Sequence, residues 1–213
     1  MANETILVFT GGDPPGPEIV DDLPAADLII AVDGGYDSAV ELGFGVDVLV
    51  GDLDSIATTS IANHVIVERH PADKDQTDLE LALELASRED PSRLVVVSGA
   101  GGRHDHELAT AHLLCSRRWE RIDELDWLSS RSRAHIVWRR RILHGDIGSI
   151  LSLIPAAEAA SGITTKGLKW NLTDETLLYG DTRGVSNVMT SPVADIRVAS
   201  GCLIVVLPVG FQP

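Results

Sequence analysis

The first half of the sequence alternates short apolar segments with segments of helical pattern, and this alternation constrains the fold more than any other feature. The apolar segments are rich in Val, Ile and Leu and end at or near Gly, Asp or Ser; they cover residues 6–9, 27–32, 46–51, 64–68 and 93–100. Unbroken apolar strands of this kind are typical of a parallel sheet covered on both faces. We therefore predict an α/β domain with a mainly parallel sheet over residues 1–125.

Helical patterns lie between these strands. The strongest covers residues 77–89, where Thr77 is a favourable N-cap and Glu80 completes a capping box. One apolar face is predicted from residues spaced at i, i+3, i+4 and i+7, namely Leu79, Ala82, Leu83 and Ala86. A helix over 105–119 is predicted to bury Leu108, Ala111 and Cys115, and a short one over 36–43 is predicted to end at Gly43.

After about residue 125 the pattern changes to short strands separated by Gly, Pro and Asp turns, with no strong helix. Such a run of strands is typical of a small sandwich or barrel. We predict an all-β, sandwich-like C-terminal domain over residues 126–213.

The net charge limits the possible partners. The chain has 17 Lys and Arg against 32 Asp and Glu, a formal charge of −15 at pH 7. A negative field opposes nucleic-acid phosphates, so we expect no nucleic-acid partner. A nucleotide ligand stays possible, because a bound divalent metal reverses the local sign of the field.

The expected compartment is the cytoplasm. The two cysteines, Cys115 and Cys202, are far apart in sequence and are predicted to be reduced core residues. We expect no membrane partner, because no apolar run reaches the roughly 18–20 residues that a membrane span needs.

Two aspartates end the third strand in the stretch VGDLDSI, residues 50–56. On an extended chain the side chains of Asp52 and Asp54 point the same way, so they repel each other unless a cation lies between them. Oxygen ligands of this kind suit Mg²⁺, which often also binds substrate phosphates. The alternative is a plain turn, for which Asp and Ser are equally suitable.

Two further stretches carry aspartate at predicted strand or helix ends. Asp33 and Gly34 follow the second strand. Asp73, Lys74 and Asp75 precede the helix at 77–89, and Asp78 lies at its start. Helix capping is an alternative for Asp78, but it does not account for Asp73 and Asp75 together. Because ligands of open α/β sheets bind beyond the carboxyl ends of the strands, these side chains are predicted to converge.

A glycine-rich stretch, SGAGGRHDH, follows the fifth strand at residues 98–106. Gly101 and Gly102 allow backbone N–H groups to approach phosphate oxygens, and Arg103 can bind a phosphate with two parallel hydrogen bonds. A tight turn is the alternative for each glycine run. A further glycine turn, TGGDPPG, follows the first strand at 10–16, and neither loop has the Walker A pattern.

Taken in order and spacing, these motifs resemble the thiamine pyrophosphokinase family. The N-terminal motifs are DGG at 33–35, GDLDS at 51–55, DKDQTDLELAL at 73–83 and GGRHDHELA at 101–109; TTKGLKWNL at 164–172 and GVSN at 184–187 are similar to the family's C-terminal motifs. The resemblance covers roughly residues 6 to 207. One departure is LAT at 108–110, where the family often has LAN, so that Thr110 replaces an amide contact.

The resemblance implies a homodimer that uses Mg²⁺ and transfers the pyrophosphoryl group of ATP to the hydroxyl of thiamine, giving thiamine diphosphate and AMP. By motif position, the implied catalytic residues are Asp52, Asp54, Asp75 and Asp78, and the implied metal ligands are Asp52, Asp54, Asp73 and Asp75. ATP is implied to bind at Asp33, Gly34, Lys74, Gly101, Gly102, Arg103 and Asp105. Thiamine is implied to bind at Trp170, Ser186 and Asn187, across the dimer interface.

Several alternatives stay open at this point. Trp170 offers an indole face to the thiazolium cation. Its sequence context alone favours a core residue of the β domain, and only the motif resemblance favours the thiamine site. The general base is Asp75 or Asp78. An Mg²⁺-dependent nucleotide phosphohydrolase, or a non-catalytic nucleotide or thiamine sensor, is also compatible with a cluster of aspartates.

Overall fold

The chain divides into two compact units, Met1–Leu113 with Arg121–Ser130 and Leu114–Glu120 with Arg131–Pro213. The structure is a computed structural model, and it describes residues 4–53, 56, 61–71, 73–99 and 101–210, without the side chains of 157 and 158. A sheet-rich architecture in two units agrees with the sequence prediction.

The first unit contains six strands and three α-helices in its described part. The strands are β1 Thr5–Phe9, β2 Leu28–Val32, β3 Val48–Gly51, β4 Ile66–Arg69, β5 Arg93–Ser98 and β6 Glu124–Ser129. The α-helices are α1 Gly35–Glu41, α2 Asp78–Arg88 and α3 His104–Leu114, and a 3₁₀ helix covers Pro17–Asp22.

The six strands pair in parallel in the order β4-β3-β2-β1-β5-β6. One face of this sheet buries a cluster that includes Leu7 and Phe9 of β1, Ala31 of β2 and Tyr36 and Ala39 of α1. Helix α2 packs on β1, β2 and β3 but contributes no residue to this cluster, so it lies on the opposite face. The parallel order brings the carboxyl ends of β1, β2, β3 and β5 to one edge.

Helix α2 forms where the sequence pattern predicts it. The Thr77 hydroxyl accepts a hydrogen bond from the Glu80 N–H at 3.2 Å, which satisfies one of the free donors at the helix start. The predicted apolar face is confirmed, because its four members, Leu79, Ala82, Leu83 and Ala86, are buried. The short helix α1 is followed by Gly43 at φ +86°, as a glycine stop requires.

The prediction for the third helix is wrong in its extent and its buried face. Helix α3 ends at Leu114, and Ser116 has extended backbone that leads into a 3₁₀ turn at Arg117–Trp119. Leu108 is 53% exposed, and Cys115 is buried but lies beyond the helix. Helix α3 turns Ala109, Thr110 and Leu113 towards a cavity, so its inner side is not packed on a continuous apolar core.

Strand β6 was not predicted, because its sequence ELDWLS is interrupted by acidic residues. The carboxylate of Asp126 is fully buried, and Arg93 of β5 binds it at 2.9 Å. A buried charge needs such a partner, and the neighbouring strand supplies this one.

The second unit is built from β-strands in its described part, with one short 3₁₀ turn. The strands are β7 Ser132–Val137, β8 Arg140–His144, β9 Ile150–Lys166, β10 Glu175–Leu177, β11 Asn187–Val188, β12 Val193–Arg197 and β13 Ser200–Pro208. They pair antiparallel in the order β7-β13-β9-β12-β8, and β10 and β11 pair with β9. Leu151, Leu153, Met189, Ile196 and Val205 are among the residues of its apolar core.

Both cysteines are free and buried in the second unit, as predicted. The neighbouring Cys115 thiol and the burial of Cys202 raise the pKa of the Cys202 thiol. Within the described ranges, the helices are too short or too polar to cross a membrane.

Candidate functional site

A cavity of about 810 Å³ lies in the first unit. Its wall is formed by the loop after β1, the end of β2, the residues around the start of α2, the loop after β5, one side of α3 and Trp127 of β6. Its position beyond the carboxyl ends of parallel strands is where ligands of open α/β sheets bind.

Seven of the predicted nucleotide-site and catalytic residues line this cavity; they are Asp33, Lys74, Asp78, Gly101, Gly102, Arg103 and Asp105. Four others do not line it, namely Gly34, Asp52, Asp73 and Asp75. Asp54 lies outside the described residues.

The end of β2 is joined to the end of β3 through Asp33. The Asp33 N–H donates to the Val50 carbonyl at 3.1 Å, and its Oδ1 accepts from the Leu53 N–H at 3.2 Å. Gly51 makes this contact possible, since a Cβ there would lie 1.8 Å from Asp33 Oδ1. The carboxylate is thereby held at the rim of the cavity.

Alternate side chains before α2 point in different directions. Lys74 and Gln76 line the cavity, whereas Asp73 and Asp75 are exposed and do not line it. Lys74 Nζ lies 3.0 Å from Asp78 Oδ1 and donates a hydrogen bond to the Pro71 carbonyl at 2.9 Å. The start of α2 and the segment before it therefore present a paired cation and carboxylate to the cavity.

The loop after β5 is held against the loop after β1. Gly101 has φ +136°, and a Cβ there would lie 2.2 Å from Asp13 Oδ2. The Gly101 N–H donates to Glu107 Oε1 at 3.1 Å, which fixes the loop on the first turn of α3. Only glycine allows this close approach.

Arg103 and Asp105 form a two-pronged ion pair at the exposed rim of the cavity. Arg103 Nε donates to Asp105 Oδ1 at 3.1 Å, and Nη2 donates to Oδ2. The hydrogen bond from Arg103 lowers the pKa of the Asp105 carboxyl from 3.8 to about 2. Asp105 is therefore ionised at neutral pH.

Sequence reasoning did not identify two residues that line the cavity, Asp13 and Trp127. The stretch TGGDPPG did indicate a loop at residues 10–16, but nothing local to it indicates that Asp13 packs on Gly101. No sequence pattern indicated Trp127 as a site residue, because the strand that carries it was not predicted.

The charge of the cavity wall bears on which ligands it accepts. Six carboxylate residues line it against the cations Lys74 and Arg103; they are Asp13, Asp33, Asp78, Glu80, Asp105 and Glu107. In the part of the chain that the structure describes, no three or more His, Cys, Asp and Glu residues come close enough together to hold a metal ion. An oxygen-only set with one or two carboxylates at a time still fits Mg²⁺, which commonly binds in this way together with substrate phosphates.

The three predicted thiamine residues lie close together in the second unit. Trp170 is 56% exposed, and Asn187 is buried and binds the Trp170 backbone through its side-chain amide. Ser186 is exposed at φ +58°, and its N–H donates to Ser152 Oγ at 3.1 Å. Lys169 Nζ lies 4.7 Å from the centre of the Trp170 ring, so the indole already contacts a cation.

Two family models match the chain in succession. The model of the thiamin pyrophosphokinase catalytic domain matches residues 21–123, and that of the thiamin pyrophosphokinase vitamin B1 binding domain matches residues 139–203. The chain belongs to the thiamine pyrophosphokinase family. This confirms the resemblance drawn from the motifs.

Individual relatives agree with this assignment. Thiamine pyrophosphokinase 1 of Oryza sativa subsp. japonica is 28% identical over 178 residues, which are 76% of this chain and 65% of the rice protein. Thiamine pyrophosphokinase of Bacillus subtilis is 28% identical over 189 residues, 84% of this chain and 86% of that protein. The chain thus spans a little less than two thirds of the length of the rice relative.

The fold is shared with solved members of the family. A crystal structure of thiamine pyrophosphokinase from Bacillus subtilis superposes with a TM-score of 0.84 at 24% identity and covers 97% of this chain and 100% of that one. A structure from Geobacillus thermodenitrificans superposes with a TM-score of 0.78 at 22% identity, covering 96% and 97%.

Proposed function

We propose that this chain is a thiamine diphosphokinase, which transfers the pyrophosphoryl group of ATP to the hydroxyl of thiamine and releases AMP. The observation that carries this proposal is the succession of a catalytic-domain match and a vitamin B1-binding-domain match on one chain. A nucleotide phosphohydrolase has no need of the second domain.

ATP is proposed to occupy the cavity of the first unit. Backbone N–H groups near Gly101 and Gly102, together with Lys74 and Arg103, face its phosphates, while Asp33, Gly34 and Asp105 complete the nucleotide site. The presence of most of this set on one cavity wall supports the proposal.

Mg²⁺ is the proposed cofactor, with Asp52, Asp54, Asp73 and Asp75 as its proposed ligands. The acidic cavity wall supports the need for a bound cation, since a polyphosphate meets carboxylates only through cations. The choice of these four ligands rests on the family motifs, because those of them that the structure describes do not line the wall. When bound, the ion would neutralise charge that develops on the transferring phosphoryl group.

Thiamine is proposed to bind at Trp170, Ser186 and Asn187. The exposed indole offers a flat, electron-rich surface to the cationic thiazolium ring. The buried Asn187 amide is bound to the Trp170 backbone, which supports a positioning role for it.

In the proposed reaction the thiamine hydroxyl oxygen attacks the β-phosphorus, and the bond from that phosphorus to the α-phosphate oxygen breaks. The hydroxyl proton passes to a carboxylate, and AMP leaves. Asp52, Asp54, Asp75 and Asp78 are the proposed catalytic residues. Of the two candidate bases, Asp78 is favoured over Asp75 because its side chain lines the cavity.

The predicted domain roles are carried forward as part of this proposal. The first unit is the proposed nucleotide-binding catalytic domain, and the second unit is the proposed sandwich-like thiamine-binding and dimerisation domain of a cytoplasmic homodimer. The predicted boundary between residues 125 and 126 falls inside β6, which belongs to the first unit. Light scattering on the purified protein tests the dimer, and a monomer at micromolar concentration would contradict it.

The activity is tested by incubating the protein with MgATP, with and without thiamine, and separating the products by chromatography. AMP and thiamine diphosphate in equal amounts, formed only when thiamine is present, support the proposal. Phosphate release that ignores thiamine would identify a hydrolase instead, and tight ligand binding without turnover would identify a sensor.

A further inference from the structure

Part of the cavity wall is formed by uncharged side chains. Ala109, Thr110 and Leu113 of α3 and Trp127 of β6 belong to this part. Leu113 lies nine residues beyond the first residue of α3, about 13 Å along the helix axis. The cavity therefore extends along α3, from the glycine loop at the helix start to an uncharged region two to three turns further on.

Trp127 is held in place by the neighbouring strand. Its indole Nε1 donates a hydrogen bond to Ser98 Oγ at 2.8 Å, and the two side chains are partly buried. The indole has a single donor, so what it still offers a ligand is ring surface. A ring that is positioned before the ligand arrives loses less conformational freedom on binding.

On the basis of the proposed function, we propose that Trp127 contacts the nucleobase of ATP at this uncharged part of the wall and that Ser98 positions its indole. A nucleobase is flat and neutral, and contact with an aromatic side chain is a general way in which proteins bind bases. The triphosphate is placed against the glycine loops and the two cations, which line the same cavity. Thiamine is cationic and is drawn to carboxylates or to the exposed Trp170 instead.

This arrangement has a consequence for specificity. Because its N–H is used by Ser98, Trp127 recognises a base by the area of its rings and not by hydrogen bonding. It should therefore favour purines over pyrimidines and contribute equally to the binding of ATP and GTP.

The test compares Trp127→Ala, Trp127→Phe, Ser98→Ala and the double variant Ser98→Ala/Trp127→Phe, with Trp138→Phe in the second unit as the control. We measure KM for ATP and thiamine, kcat, and the ratio of kcat/KM for ATP and CTP. Trp127→Ala should raise the KM for ATP by about tenfold or more, which is typical for the loss of an aromatic contact to a base. The KM for thiamine and kcat should change by less than about twofold, and Trp127→Phe should restore most of the ATP affinity.

The double variant separates positioning from direct contact. Ser98→Ala should raise the KM for ATP when Trp127 is present and have no further effect when Phe replaces it, because Phe has no N–H to position. An equal effect in both backgrounds would overturn the role of Ser98. Trp138→Phe should leave every constant unchanged.

An unchanged KM for ATP in a folded Trp127→Ala variant, or a raised KM for thiamine alone, would overturn the role of Trp127. If that variant does not fold, as judged by circular dichroism, Trp127→Leu keeps an apolar side chain there and should still reduce the preference for ATP over CTP. If the wild type makes no AMP, the proposed function fails, but calorimetric titration of MgATP still decides this inference: Trp127→Leu should bind MgATP more weakly than the wild type, and equal affinities would overturn the role of Trp127.

Discussion

The side-chain amide of Asn187 binds the backbone of Trp170 on both sides of that residue. Asn187 Oδ1 accepts from the Trp170 N–H at 3.1 Å, and Asn187 Nδ2 donates to the Trp170 carbonyl at 2.8 Å. Asn187 Oδ1 also accepts from the Val188 N–H at 2.9 Å. The exposed indole is therefore attached to a backbone that a buried side chain holds.

Replacing Asn187 should disturb the orientation of Trp170. Asn187→Ala removes these hydrogen bonds from partly buried backbone groups, at a cost of about 1 kcal/mol in the free energy of unfolding. We expect the KM for thiamine to rise while the KM for ATP stays constant. Urea denaturation measures the change in stability, and steady-state kinetics measure the two KM values. Asn171→Ala, which removes a different side chain from the same turn, is the comparison. Equal changes in the KM for thiamine and the KM for ATP would contradict the prediction.

The Lys169–Trp170 contact predicts a competition between cations. Because Lys169 Nζ lies 4.7 Å from the ring centre, its ammonium group occupies part of the surface that we assign to thiamine. Lys169→Gln should lower the KM for thiamine by roughly two- to fivefold, which corresponds to an exposed cation–π contact of about 0.5–1 kcal/mol. Trp170→Ala should raise the KM for thiamine without affecting the KM for ATP. A thiamine KM that neither variant changes would remove Trp170 from the site.

The proposed metal and catalytic aspartates predict a loss of turnover without a loss of fold. We expect AMP formation to be abolished in each of the variants Asp52→Ala, Asp75→Ala and Asp78→Asn. The first two remove proposed ligands of the metal that neutralises the phosphates, and the third removes the favoured base for the thiamine hydroxyl. Asp146→Asn, at an exposed position in the second unit, is the matched control and should keep full activity. Circular dichroism checks the fold. Normal turnover in both Asp52→Ala and Asp75→Ala would remove the metal assignment.

Neighbouring glycines in the loop after β5 should respond differently to alanine. Both have positive φ, +136° at Gly101 and +80° at Gly102, but only at Gly101 would the added Cβ meet Asp13, at 2.2 Å. Gly102→Ala should cost about 1–2 kcal/mol of backbone strain. Gly101→Ala should lower the free energy of unfolding by more than Gly102→Ala does, and it should also cause the larger rise in the KM for ATP. Thermal unfolding and kinetics of the two variants test this prediction. Equal effects would show that the Asp13 side chain moves away from the added Cβ without loss of stability.

Asp105 should titrate far below the ordinary range of a carboxyl group. Its pKa is lowered from 3.8 to about 2 by Arg103, so the ion pair is complete above pH 4 and is lost as the pH falls towards 2. The contribution to stability is small because both groups are exposed. Carboxyl ¹³C NMR should give a midpoint near 2, and Arg103→Gln should return it towards 3.8. A midpoint near 3.8 in the wild type would show that the pair does not form in solution.

Patterns that depend on near neighbours in sequence were predicted well. The N-cap of α2 at Thr77, its buried face and the glycine stop after α1 follow from interactions within a few residues, so the local sequence is sufficient for them. The family motifs likewise indicated most residues of the cavity wall.

Features that depend on distant partners were decided only in the folded chain. Strand β6 pairs with β5 along its whole length, and Arg93 of β5 is the partner that allows Asp126 to be buried there. The exposure of Leu108 follows from the cavity that the other side of α3 lines. Asp13 and Trp127 reach the cavity from loops and strands that are close only in space. Local sequence sets local backbone preference, whereas the burial and pairing of a charged or aromatic side chain depend on neighbours that folding brings together.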